Sequence, residues 1–220
     1  MTTKSERLFE AFCQAHSVVY RRVQETDEPR PDYELEVKGQ LLLAEIKQFD
    51  PNKEEQTAIE RRARGEQVAL GGTPGERLRR AIRSANTQFK QLLTSRSDPT
   101  LLVVYNNTPC SLHTRPYAVM TAMQGLDVVE VEVPSNLSES PRFGNTRSGP
   151  KRAMRVDANT SISAVGILCE IDRNEFQLVV YHNRYAVTPL EPYLMCFPGV
   201  IHLRLPEGGR NSVDAKWEKV

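Results

Sequence analysis

The chain has 220 residues, 39% of them hydrophobic and 26% charged, which is the composition of a folded globular protein rather than a disordered one. Its formal net charge of +1 excludes a general polyanion-binding surface, so any nucleic-acid contact must be a local patch. The longest apolar runs, such as Leu41 to Ala44 and Leu101 to Tyr105, fall far short of the roughly 20 residues of a membrane span.

The amino-terminal stretch MTTKSERLFEAF has no apolar h-region and carries acids early, which argues against a signal peptide. Cys13, Cys110, Cys169 and Cys196 are scattered without a CxxC pair and read as reduced thiols. A cytoplasmic location, with no membrane partner, is the expectation.

Thr3-x-x-Glu6 has the form of a capping box, and Leu8, Phe9, Ala11, Phe12 and Ala15 follow at helical spacing, predicting a helix over 4–15. Ser17 to Gln24 is rich in β-branched and aromatic residues and reads as a first strand. Tyr33 to Lys38 alternates apolar and charged residues, and Leu41 to Phe49 follows after a break at Gly39-Gln40, so the two runs read as a hairpin. A polar helix over 53–64 and the GGTPG loop at 71–75 precede a strong amphipathic pattern over 76–93. There Leu78, Ala81, Ile82, Ala85, Phe89, Leu92 and Leu93 form the apolar stripe, with Arg79, Arg80, Arg83 and Lys90 opposite as a solvated face. Thr100 to Tyr105 is a wholly apolar strand, and a helix over 116–124 leads to a strand over 127–133.

This order predicts an α/β fold, a mixed central sheet flanked by helices on both faces. Composition shifts at Ser135, dividing a core of residues 1–135 from a β-rich extension of residues 136–220 packed on it. The extension opens with a Ser-, Pro-, Gly- and Asn-rich loop over 135–150, followed by strands over 152–157, 161–171 and 177–181.

The hairpin carries the chemistry. Asp32 follows Pro31 at the start of one strand, and Glu45-Ile46-Lys47 lies at the end of the next. Alternation puts Glu45 and Lys47 on one face while Ile46 turns to the other, and the hairpin brings Asp32 beside them. Hard divalent ions such as Mg²⁺ take oxygen ligands, commonly one or two carboxylates with waters and substrate phosphate. An ammonium nearby offsets developing negative charge. The bland alternative is a solvated Glu-Lys pair on an exposed strand.

Pro31-Asp32 with Glu45-Ile46-Lys47, and the order helix, three strands, helix, strand, resembles the PD-(D/E)xK, or restriction endonuclease-like, nuclease superfamily. The resemblance covers about residues 4–133. It implies a restriction endonuclease-like core binding Mg²⁺ (or Mn²⁺) through Asp32, Glu45 and the Ile46 carbonyl, with Lys47 as the catalytic lysine. Many members add a glutamate from the first helix, for which Glu6 and Glu10 are both candidates. Some place a Gln or Lys on the helix after the motif, where Gln88 stands. The implied activity is hydrolysis of phosphodiesters, of DNA in preference to RNA, with RNA left open. Cutting both strands often needs two active sites, and hence a homodimer.

Basic residues cluster in the extension. Arg142, Arg147, Lys151, Arg152 and Arg155 lie in a stretch free of acids from Pro141, with Phe143 among them as a base-stacking candidate. Arg147, Lys151 and Arg152 are the candidate phosphate contacts, set against an ordinary solvated loop. Tyr181-His182-Asn183 reads as a strand-end histidine, Cys110-x-x-His113 as half of a zinc site without a partner half, His16 as a cation at a helix end, and Trp217 as a packing anchor. The expected function is thus a divalent-metal-dependent nuclease. Its rival is a non-catalytic nucleic-acid-binding or assembly protein that keeps the fold.

Overall fold

The computed structural model describes residues 2–24, 28–93, 96–136, 138–172, 175–206 and 217–220, apart from the side chains of residues 127 and 146–148. Helix α1 (Lys4–Ala15) starts at a complete capping box, Thr3 accepting the Glu6 N–H and Glu6 accepting the Thr3 N–H. Strands β1 (Val19–Arg22), β2 (Tyr33–Val37) and β3 (Gln40–Phe49) form an antiparallel meander. Helices α2 (Lys53–Ala63) and α3 (Glu76–Leu92) cross over to β4 (Thr100–Asn106), which runs parallel to β3. Helix α4 (Pro116–Gln124) then leads into β5 (Asp127–Glu132) and β6 (Arg142–Ser148). Strands β7 (Ala164–Asp172), β8 (Glu175–His182), β9 (Val200–Arg204) and β10 (Glu218–Lys219) complete the chain.

Eight strands form one mixed sheet in the order β1-β2-β3-β4-β7-β8-β9-β10, and β5-β6 make a separate two-stranded ribbon. The sheet separates two cores. On one face Phe9 and Phe12 of α1 pack on Tyr33, Leu35, Leu42, Ala44, Ile46, Leu101 and Val103. On the other, Leu78, Ile82 and Phe89 of α3 and Val119 and Met123 of α4 pack on Leu43, Phe49, Leu102 and Val104. Residues of alternating parity along β3 and β4 therefore go to opposite cores, which is why β4 is apolar on both faces. Each such fully buried Leu or Phe contributes on the order of 2–3 kcal/mol. No helix of the described residues is long and apolar enough to cross a membrane.

Several expectations need correcting. The β2–β3 turn is Lys38-Gly39 rather than Gly39-Gln40. Both residues have positive φ (51° and 75°), as a two-residue turn that matches strand twist requires. The stretch over 135–150 is not all loop, because β6 pairs antiparallel with β5 across it. No strand forms over 152–157, only a single Arg155–Ala158 bridge. The 135/136 boundary falls inside the β5–β6 ribbon, and β7 pairs parallel with β4, so the later strands extend the same sheet. Arg79 is not on a solvated face. It is fully buried, with Nη2 2.8 Å from Glu76 Oε2 and Nη1 donating to the Thr121 carbonyl at 3.3 Å, because α4 lies over that side of α3.

Candidate active site

The antiparallel register pairs Tyr33 with Ala44, so Asp32 stands one step beyond, opposite Glu45. Asp32 Oδ2 accepts the Ile46 N–H at 2.7 Å. A strand residue points its N–H and C=O to the same edge, so the Ile46 carbonyl lies on the Asp32 side, past the point where β2 begins. Glu45 and Lys47 face the α3 side of the sheet, with Lys47 Nζ 2.6 Å from Glu45 Oε1.

Asp32, Glu45 and Lys47 line one cleft of about 610 Å³ with Pro31, Arg30 and three residues of α3: Ser84, Thr87 and Gln88. The α3 residues fall at i, i+3 and i+4, one stripe of the helix turned toward the strands. Glu45 is 1% exposed, yet its Oε2 has no hydrogen-bond partner, and neither does the buried Gln88 Oε1. Burial pushes the Glu45 carboxyl up to about 7, the Asp32 charge pushes the same way, and Lys47 pulls against both. Burial raises Asp32 too, opposed by the Ile46 N–H and Lys47. The cleft thus holds two carboxylates against a single ammonium, with one buried oxygen left unsatisfied. A divalent cation fits that donor set in charge and in hardness.

Neither first-helix glutamate is among the residues that line the cleft, although Glu6 is within electrostatic reach of Asp32 and pushes its carboxyl up. Helix α1 packs on the opposite face of the sheet, where Glu10 accepts the Tyr33 hydroxyl at 2.7 Å. Glu6 binds the Thr3 N–H at 2.6 Å and pairs with Arg22. Both partners hold its carboxyl below the usual range even though burial opposes them. Among the described residues no group of three or more His, Cys, Asp and Glu side chains is placed to hold a metal ion. An ion here would take the two carboxylates and a carbonyl, with solvent or phosphate oxygens completing its shell, the usual way Mg²⁺ is held.

The basic stretch of the extension lies elsewhere. Arg152 Nε donates to the Gln124 carbonyl at 3.1 Å, at the carboxyl end of α4. Lys151 is within electrostatic reach of Glu76, at the amino end of α3. Glu76 and Gln88 are twelve residues apart, which is about 18 Å along the helix. Arg155 pairs with Asp157 at 3.1 Å. The Arg147 side chain lies outside the described residues. Phe143 is 74% exposed on the β5–β6 ribbon, directly across from Val131.

The remaining histidines have structural partners. His113 Nε2 is 2.6 Å from Glu55 Oε1, and Arg77 reaches the other Glu55 oxygen at 3.2 Å, so the ring nitrogen of the Cys110-x-x-His113 motif is taken up by a carboxylate. His16 caps α1 and stacks on Phe197 at 5.2 Å, and burial lowers its pKa, so it is a packing group rather than the expected cation. His182 Nε2 is 2.9 Å from His202 Nδ1 on the α1 side of the sheet, the side of Leu178, Val180 and Met195, and Trp217 packs edge-on against Tyr181 at 4.8 Å. Residues Ser84 and Thr87 were not anticipated, although their helical spacing from Gln88 would have pointed to them. Compared with known proteins, the chain matches no family model, no curated protein and no solved structure.

Proposed function

We propose that this protein is a divalent-metal-dependent nuclease with a restriction endonuclease-like core, hydrolysing phosphodiester bonds of DNA in preference to RNA. The observation that carries this reading is the unpartnered, buried Glu45 Oε2 in a cleft shared with Asp32 and Lys47. The order α1-β1-β2-β3-α2-α3-β4, with β4 parallel to β3, supports the resemblance that the Pro31-Asp32 and Glu45-Ile46-Lys47 motif carries, α2 being an added helix in the crossover.

In this account Asp32, Glu45 and the Ile46 carbonyl hold Mg²⁺ or Mn²⁺. The ion supplies positive charge that lowers the pKa of water and offsets charge on the phosphoryl oxygens. The chain does the rest. Asp32, held at 2.7 Å by the Ile46 N–H, is oriented against β3. Lys47, paired with Glu45 while substrate is absent, turns its ammonium toward the attacking water or the phosphorane oxygens when Glu45 takes its other partner. Gln88, on α3, presents an amide to the substrate across the cleft.

Incubation of linear duplex, single-stranded and branched DNA and of RNA with Mg²⁺, Mn²⁺ or EDTA tests this. Cleavage that requires the metal and disappears in Asp32→Ala, with nucleic-acid binding retained, is the expected result. Cleavage that survives in Asp32→Ala would remove the site. Binding without cleavage on every substrate would favour the non-catalytic binding protein.

A further inference from the structure

Helix α3 presents two adjacent stripes. Ser84, Thr87 and Gln88 line the cleft, while Arg80, Arg83, Thr87 and Lys90, at steps of three or four residues, form an exposed ridge that shares Thr87 with it. From Arg77 through Ser97 the sequence contains no acid at all. Among the described residues neither Arg83 nor Lys90 has a carboxylate in ion-pair contact, whereas Arg80 reaches Glu76 at 3.4 Å, where the acid-free run ends.

The ridge therefore carries two cations, Arg83 and Lys90, without an ion pair among the described residues, on either side of Thr87. Helix α2, by contrast, mixes signs on its surface. In α2 the cations of the last turn share the helix with Glu54, Glu55 and Glu60, and Arg61 pairs with Glu66 at 2.7 Å. The row on α3 also has a length. Arg80 to Lys90 spans about 15 Å at 1.5 Å per residue, roughly the rise of four stacked nucleotides. Thr87, between Arg83 and Lys90, lines the cleft that holds Asp32 and Glu45.

We propose that the exposed ridge Arg83–Thr87–Lys90 of α3 is the track on which the sugar-phosphate backbone of the substrate strand lies, with Arg83 and Lys90 holding phosphates on either side of the one presented to the cleft. The inference rests on the nuclease reading for the placement of the scissile phosphate, and on the acid-free ridge for the binding itself. Arg83 and Lys90 touch no reacting atom in this arrangement. They position the strand, so their loss weakens binding and raises KM while kcat stays near the wild-type value.

The test is the salt dependence of binding to a labelled DNA strand in EDTA, where nothing is cut, for wild type and for Arg83→Gln/Lys90→Gln. The control Arg7→Gln/Arg62→Gln removes the same charge from exposed positions on α1 and α2. Loss of two phosphate contacts should weaken binding about tenfold or more at low salt and flatten the slope of log affinity against log salt by roughly 1.4. The control should leave both near wild type. An unchanged slope, an equal fall in the control, or no binding by wild type would each overturn the ridge. Cleavage in Mg²⁺ by the same proteins separates the two readings. Wild-type cutting with KM and slope unchanged in the ridge variant removes the track and leaves the nuclease. A flattened slope without any cutting removes the nuclease and leaves the track.

Discussion

Asp32 and Ile46 are joined by a 2.7 Å hydrogen bond from the Ile46 N–H to Asp32 Oδ2, fourteen residues apart in sequence. That bond fixes the start of β2 against the one residue that separates Glu45 from Lys47. It sets two carboxylates and an ammonium in one cleft and leaves Glu45 Oε2 buried without a partner.

Metal affinity should follow from that geometry. A titration of Mn²⁺ into the protein by calorimetry should give one site per chain, weakened at least tenfold in Asp32→Ala and in Glu45→Gln. Removing the metal with EDTA should lower the Tm of wild type but not of either variant, because ligand binding to the native state alone raises its stability. A Tm response to metal that persists in both variants would place the ion elsewhere.

Acid should loosen the far side of the sheet. His182 and His202 face each other at 2.9 Å, His202 Nε2 meets the Met195 carbonyl at 3.2 Å, and burial favours the neutral form of both rings. Burial lowers the His182 pKa to about 3, the neighbouring His202 and Arg204 charges add to the effect, and a hydrogen bond to the Leu190 backbone opposes it; burial lowers His202 as well, against its bond to Met195. An unfolded imidazole takes its proton near 6.5, so the stability is whole above about pH 6.5 and is lost as pH falls toward 3. The loss is on the order of 2–4 kcal/mol. Circular dichroism melts between pH 7 and 4 should show a Tm slope that His182→Asn flattens. Equal slopes in the two proteins would contradict the neutral pair.

The amino end of α3 is built around Gly75. Its φ is +73°, and an added Cβ would stand 2.6 Å from the Ala118 carbonyl oxygen and 2.7 Å from the Ala122 nitrogen, both backbone atoms that cannot give way cheaply. Gly75→Ala should cost about 2–4 kcal/mol by urea unfolding, from left-handed backbone strain and overpacking together. A change under about 0.5 kcal/mol would mean that α3 and α4 separate easily there.

Much of this site could be read from sequence because strands alternate strictly. Glu45 and Lys47 share a face by parity alone, and the short turn at Lys38-Gly39 returns Asp32 to their side. Parity could not say which helix lies on that face. That depends on the crossover between β3 and β4, which puts α3 beside the carboxylates and α1 behind the sheet, so Gln88 lines the cleft while Glu6 reaches Asp32 only electrostatically, from the α1 side. Arg79 eluded the periodic pattern because its burial comes from α4, whose packing on α3 is a long-range contact. Strand β6 was hidden for a related reason. Its residues, RFGNTRS, have little strand propensity and are held by pairing with β5.

Single-turnover cleavage of a labelled DNA duplex in Mg²⁺, by wild type beside Lys47→Ala, is the most direct test of the central claim. The account predicts a metal-dependent rate that falls by about 10² or more in the variant, with DNA affinity within about threefold of wild type, because Lys47 acts on charge that develops in the transition state. Equal rates in the two proteins, or a rate indifferent to EDTA, would contradict it.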